Sequence, residues 1–213
     1  MLSSSVCTII RNGESEIFFK TTTSGILVTN QKGKLFITIA TYGFEDDGLV
    51  YHLNPHKGTV IGRVIENLLG TDISIARLNS GLQYVNKTFG TYAEPDGIQM
   101  NRISPAYPPH LQVYNALSMN NPFSGSCKGV TMALGAIIAG KGDKGYVAYE
   151  WSFFENGDKP VDRSCGSPIL DAEGKVVGLF RFKTADSSLC LSVSAMELWE
   201  FGYDICSGEQ SFT

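Results

Sequence analysis

Short β-prone apolar runs, each closed by turn residues, recur along this chain and favour many short strands over long helices. Ser24-Gly25-Ile26-Leu27-Val28-Thr29 leads into Asn30-Gln31-Lys32-Gly33 and returns as Leu35-Phe36-Ile37-Thr38-Ile39. Two apolar runs bracketing a Gly-containing connection are a hairpin signature. With further strands expected at 17–19, 49–53, 60–66 and 73–78, the first half predicts six strands, enough for one small closed barrel. Four of the eight prolines (Pro95, Pro105, Pro108, Pro109) fall in 95–111. Proline removes backbone donors and fixes φ, so this stretch reads as a linker between an N-terminal unit (1–94) and a C-terminal unit (112–213).

The second half repeats the pattern, with strands expected at 111–117, 129–138, 146–154, 168–171, 175–182 and 189–193 and a turn at Asp171-Ala172-Glu173-Gly174. Ser194 and Glu197 have capping-box spacing ahead of Leu198-Trp199-Glu200, which predicts one short C-terminal helix.

Composition narrows the function classes. With 43 % hydrophobic and 18 % charged residues, the 213-residue chain can bury a core. Net charge is −4 and the basic residues are scattered, so no nucleic-acid partner is expected. No apolar run is long enough to span a bilayer, and the N-terminus lacks the charged and apolar regions of a signal peptide. Five cysteines (Cys7, Cys127, Cys165, Cys190, Cys206) form no CxxC pair, and the odd count leaves at least one free thiol. A reducing, cytoplasmic setting is the simplest account. His52 and His56 have HxxxH spacing, but Pro55 breaks the helix that would align them, so no metal is expected. Gly140-Lys141-Gly142-Asp143-Lys144-Gly145 lacks the context of a phosphate loop and reads as a hairpin turn; no cofactor is expected.

Three segments then stand in a telling order. Ser24-Gly25-Ile26-Leu27-Val28 is followed by Phe36-Ile37-Thr38-Ile39-Ala40-Thr41-Tyr42-Gly43-Phe44; then come Thr71-Asp72-Ile73-Ser74-Ile75-Ala76-Arg77-Leu78 and Ser164-Cys165-Gly166-Ser167-Pro168-Ile169-Leu170 with Gly174-Lys175-Val176-Val177-Gly178-Leu179. The set resembles the chymotrypsin/trypsin-like protease family: its SGxxV strand, the strand end bearing the general base, the DIALxxL strand bearing the orienting Asp, the DSGGPV nucleophile loop and the GxVVGI strand. The chain is similar to intracellular trypsin-like proteins, with the Cys nucleophile position of viral chymotrypsin-like cysteine proteases. The resemblance implies an all-β fold of two six-stranded antiparallel Greek-key barrels with a short C-terminal helix.

Mapped residue by residue, the resemblance places Cys165 at the nucleophile position and Asp72 at the acid position. The base position falls on Thr41 or Tyr42, with Tyr42 preferred because Phe44 then matches an apolar position. Neither is a base near neutral pH, since tyrosine titrates near ~10. Without an imidazolium beside it, a thiol stays mostly protonated at pH 7. The plainer readings are a strand-opening Asp72 and a small buried Cys165. His52, His56 and His110 read as ordinary surface or loop residues. The oxyanion position comprises Arg163, Ser164 and Cys165, with Arg163 where the family has Gly and Ser164 where it has Asp. Arg181, Phe182 and Lys183 fall where the family pairs with substrate; Arg181 and Lys183 either fill the cleft, favour an acidic partner, or are solvated strand-end charges. Lys159 lies near the pocket floor.

Three functions follow as expectations. The first is a pseudoprotease whose interbarrel cleft binds a peptide or protein. The second is an active cysteine endopeptidase using Cys165 with a non-standard base, and the third is a thiol sensor or structural domain.

Overall fold

Two side-chain turns anchor the hairpins read from the sequence. Asn30 Oδ1 accepts from the backbone N–H of Lys32 and of Lys34, both at 3.0 Å, and Gly33 follows at φ 70°. Asp171 Oδ1 accepts from Glu173 and Lys175 N–H, both at 2.9 Å, with Gly174 at φ 76°. In each, a short polar side chain replaces a backbone acceptor and glycine supplies the left-handed residue.

The computed structural model describes residues 5–12, 16–43, 48–52, 59–88, 97–104, 115–139, 145–153, 160–183, 189–206 and 209–211. The first half holds β1 (Ser5–Asn12), β2 (Glu16–Thr23), β3 (Leu27–Asn30), β4 (Leu35–Ala40), a 3-10 turn (Thr41–Gly43), β5 (Leu49–His52), β6 (Thr59–Leu68), β7 (Ile73–Leu78) and β8 (Gln83–Val85). The second holds β9 (Ala116–Asn121), β10 (Gly125–Ala139), β11 (Gly145–Phe153), β12 (Pro168–Leu170), β13 (Val176–Lys183), β14 (Leu189–Ser194), α1 (Met196–Glu200), β15 (Tyr203–Ile205) and β16 (Glu209–Ser211).

These strands form two large antiparallel sheets, as the all-β expectation required, and a two-stranded sheet that pairs β16 with β8. The second half closes as a six-stranded barrel in the order β10-β11-β14-β13-β12-β9. The first sheet has eight strands rather than six, ordered β15-β3-β4-β7-β6-β5-β1-β2. Its additions are β1, paired along its length with β2, and β15, which returns from the C-terminal end to pair with β3. A three-residue strand such as β15 has no periodicity to read, so only the tertiary fold reveals it.

One apolar cluster runs through both halves. Ile26, Val28, Phe36, Ile73 and Ile75 from the first half pack in it with Leu170, Val176, Leu179, Val193 and Leu198 from the second. Of the stretch expected as a linker, 97–104 is described: Met100 and Ile103 are buried in this cluster, and Ile103 bridges to Val176. Residues 105–111 and the expected turn at 140–144 lie outside the described residues.

The helix starts one residue later than the capping box expects. Ser194 ends β14, opposite Gly178, so the N-cap position falls to Ala195, which makes no side-chain cap. Ser194 Oγ instead accepts from Met196 N–H at 3.2 Å.

A close seam joins the halves beside the expected site. Thr23 N–H donates to the Cys165 carbonyl at 3.2 Å and Thr23 Oγ to the Arg163 carbonyl at 3.1 Å. A Cβ on Gly166, at φ 88°, would sit 2.7 Å from the Thr23 carbonyl oxygen. Gly33 is also left-handed but has nothing within 4 Å of such a Cβ. Gly33→Ala is therefore expected to cost about 1 kcal/mol of backbone strain. Gly166→Ala adds a clash with backbone and should cost at least about 2 kcal/mol more, as read by urea denaturation of both variants.

Candidate active site

Three elements bring the expected residues together. The 3-10 turn after β4 carries Tyr42, the turn before β7 carries Asp72, and the loop before β12 carries Cys165. Thr41 and Tyr42, the two residues the sequence left open, take different partners. Thr41 Oγ accepts from Ser74 Oγ at 2.8 Å, away from the cysteine. Tyr42 is hydrogen-bonded to the Cys165 thiol, and its backbone N–H donates to the Asp72 carboxylate.

Arg181 supplies what the sequence did not assign. Antiparallel pairing of β13 with β14 runs Phe180–Ser192 and then Phe182–Leu191, leaving Arg181 as a bulge residue. Bulges re-aim side chains, and this one accompanies an ion pair between Arg181 Nη1 and Asp72 Oδ2. The contact is electrostatic, with no directed hydrogen bond accompanying it. The guanidinium carbon lies 5.1 Å from the Tyr42 ring centroid and 4.4 Å from that of Phe182, both within cation–π range. Arg181 thus stands against Asp72. The one described cavity that touches both Asp72 and Arg181 measures about 10 Å³, the threshold for a single water.

The electrostatics follow from this burial. Asp72, at φ 55° with its carboxylate 8 % exposed, has its pKa pushed up to about 6 by burial, against the opposing pull of Arg181 and the Tyr42 N–H. Burial also raises Tyr42, helped by its contact with Cys165, so it stays a neutral phenol. Burial raises the Cys165 thiol too, although the Tyr42 hydrogen bond and Arg181 favour the thiolate. The thiol lies 3.0 Å from the Arg181 carbonyl oxygen, to which it donates.

The residues around the cysteine form a tight turn. Arg163 adopts φ 84°, a conformation that glycine enters without strain. Its guanidinium lies 6.0 Å from the Phe123 ring centroid. Among the described residues, neither the Arg163 nor the Cys165 N–H finds an acceptor. Ser164 is fully buried, and its hydroxyl meets Ser124 Oγ at 2.6 Å; Ser124 Oγ also accepts from Val161 N–H at 3.0 Å. Nothing in the sequence linked Ser124 or Thr23 to this loop, because both reach it only through packing.

Residues 181–183 continue β13 past the end of β12, and among the described residues no strand pairs with that edge. Phe182 is 41 % exposed. Lys183 Nζ lies 3.1 Å from the exposed Asp162 carboxylate, a contact worth little at a surface. His52 lies on β5, separated from β7 by β6. His56, His110 and Lys159 lie outside the described residues. Among the described residues, no three His, Cys, Asp or Glu side chains are placed to hold a metal ion. Cys127, Cys165, Cys190 and Cys206 are free thiols, and no described helix is long and apolar enough to cross a membrane.

No family model matches the sequence, and comparison with curated proteins finds no match. Solved structures do match. A glutamic acid-specific serine protease, described as using a histidine triad in substrate binding, aligns over 88 % of this chain and 94 % of its own at TM-score 0.68 and 13 % identity. Cellulomonas bogoriensis chymotrypsin aligns over 97 % and 98 % at TM-score 0.64 and 14 % identity. Thermobifida fusca protease A aligns over 88 % and 92 % at TM-score 0.62 and 14 % identity. The chain has the chymotrypsin-like protease fold. Within that fold, Tyr42, Asp72 and Cys165 meet at one place, with Arg181 between the two halves.

Two measurements follow. Asp72 holds its proton more tightly in the folded protein than an ordinary unfolded carboxyl does, so folding is favoured most at acid pH. That advantage is lost as the pH rises from the ordinary carboxylate range through about 6, and the shift amounts to roughly 3 kcal/mol. Asp72→Asn should remove this pH-dependent part of stability, read by denaturation across pH 4–8. Iodoacetamide labelling of Cys165 should be slower than that of free cysteine at pH 7 and keep accelerating above the pH where free cysteine levels off. Tyr42→Phe should slow it further, since the lost hydroxyl favoured the thiolate.

Proposed function

We propose that this protein is a catalytically silent chymotrypsin-like domain that binds an extended peptide or protein segment in the cleft between its two halves. The observation that carries this reading is the Arg181–Asp72 ion pair. It uses the carboxylate that would orient a base and sets a permanent cation beside it. No described group touching the Cys165 thiol can take its proton at neutral pH: the neighbours are a phenol and a carbonyl oxygen. Loss of the base in a triad enzyme typically lowers kcat by about 10⁶. The edge at 181–183, unpaired among the described residues, supports a binding role, because an extended peptide adds to such an edge through main-chain hydrogen bonds.

A second reading, a cysteine endopeptidase, draws on the turn at Arg163. Its left-handed backbone and the two uncommitted N–H groups suit an oxyanion. Cys165 then attacks the carbonyl and an unconventional group takes the proton.

A diverse peptide library incubated with the native protein and with Cys165→Ala, read by mass spectrometry, separates the two. No cleavage by either is expected; cleavage by the native protein alone would overturn the silent-domain reading. Because Arg181 holds Asp72, Tyr42→His alone should stay inactive. Adding Arg181→Ser frees the carboxylate to orient the new imidazole, and cleavage should rise by about 10²-fold or more over the single variant.

A further inference from the structure

Arg181 is an under-used cation. Its guanidinium makes one ionic contact, to Asp72, and stacks on Phe182. Its Nε is buried and has no hydrogen-bond partner. A buried donor left without an acceptor is costly, so the present arrangement is poorly satisfied. Stacking on an aromatic face leaves the N–H edge of a guanidinium open to a planar acceptor, and a carboxylate fits that edge with two parallel bonds. The side chain is 20 % exposed and sits on the strand segment whose edge is unpaired among the described residues. Among the described residues, the charges around it are Asp72, Asp162 and Lys183, with the neutral Tyr42 and Cys165. Asp162 is occupied by Lys183. Arg163, in the cysteine loop, makes no ion pair among the described residues.

We propose that Arg181 is the carboxylate receptor of the cleft: a carboxylate of the bound peptide replaces Asp72 on the guanidinium, which selects acidic peptides. This deepens, and rests on, the peptide-binding reading above. The carboxylate comes from a Glu or Asp side chain or from a peptide C-terminus, two sources with one chemistry. Exchange leaves Asp72 buried without its cation. A carboxyl in that position takes a proton from solvent, so binding is coupled to proton uptake at Asp72. The Tyr42 N–H, the other group facing it, is a neutral donor and does not replace the lost charge.

The test is a peptide array in which each acidic peptide is paired with its Gln or Asn counterpart, each with a free and an amidated C-terminus, followed by calorimetry on the best pair. The native protein is expected to prefer the acidic member by about tenfold. The preference should vanish in Arg181→Gln and grow in Asp72→Asn, which removes the internal competitor without adding charge. Calorimetry in two buffers of different ionisation enthalpy should register proton uptake with the native protein and none with Asp72→Asn. Preference tied to the internal acid or to the free C-terminus identifies the source. Equal binding of acidic and neutral peptides would overturn the carboxylate receptor while leaving the peptide-binding cleft standing. Acidic preference that survives Arg181→Gln would also overturn it, assigning the contact to Arg163 or Lys183. Binding of no peptide at all would overturn the cleft reading and this proposal with it. If Arg181→Gln fails to fold, the acidic–neutral comparison and proton uptake on the native protein still decide.

Discussion

The seam between residues 23–25 and 163–166 underlies the arrangement of the cleft. Two hydrogen bonds from Thr23 reach the carbonyls of Arg163 and Cys165 across the halves of the molecule. A Cβ on Gly25 would stand 2.0 Å from Thr38 Oγ and 3.2 Å from the Gly166 carbonyl oxygen. Backbones can approach this closely only where side chains are absent. The seam sets the cysteine loop against the first sheet, so that Tyr42 from one half meets Cys165 from the other. It also braces the left-handed Arg163, a conformation that costs a non-glycine residue about 1–2 kcal/mol.

On that frame, the charges of the site fit one another chemically. A buried carboxylate without a cation is expensive, and Arg181, turned inward at a bulge, supplies that cation. The same guanidinium lies between two aromatic rings, so its own desolvation is partly offset by cation–π contacts. The neutral phenol and thiol then share a hydrogen bond rather than a proton-transfer path. The site is thus electrostatically settled in its own way.

Ser164 and Ser124 make a similar exchange beneath the loop. A hydroxyl pair at 2.6 Å, buried and neutral, ties the 161–165 turn to the start of β10 without a buried charge. The loop is held by hydrogen bonds already present in the folded chain.

Much of this was written in local sequence. Asn30, Gly33, Asp171 and Gly174 set their turns through contacts a few residues away, so the sequence alone predicted the hairpins and the all-β class. The order of the SGILV, TDISIARL and SCGSPIL segments likewise located Asp72 and Cys165, because each belongs to a short motif. Other features rest on contacts between residues far apart in the chain, which no local pattern encodes. The capping box at Ser194 and Glu197 had the right spacing, yet Ser194 was already committed to β14. The return of β15 to the first sheet, the reach of Ser124 across 40 positions to Ser164, and the different partners of Thr41 and Tyr42 all emerged only on packing. Above all, the sequence placed Arg181 beside the cleft but left its role open among plug, partner contact and solvated charge. Tertiary structure set its contact with Asp72, because a one-residue bulge between Phe180 and Phe182 re-aims the side chain, and that bulge exists only when β13 and β14 are paired.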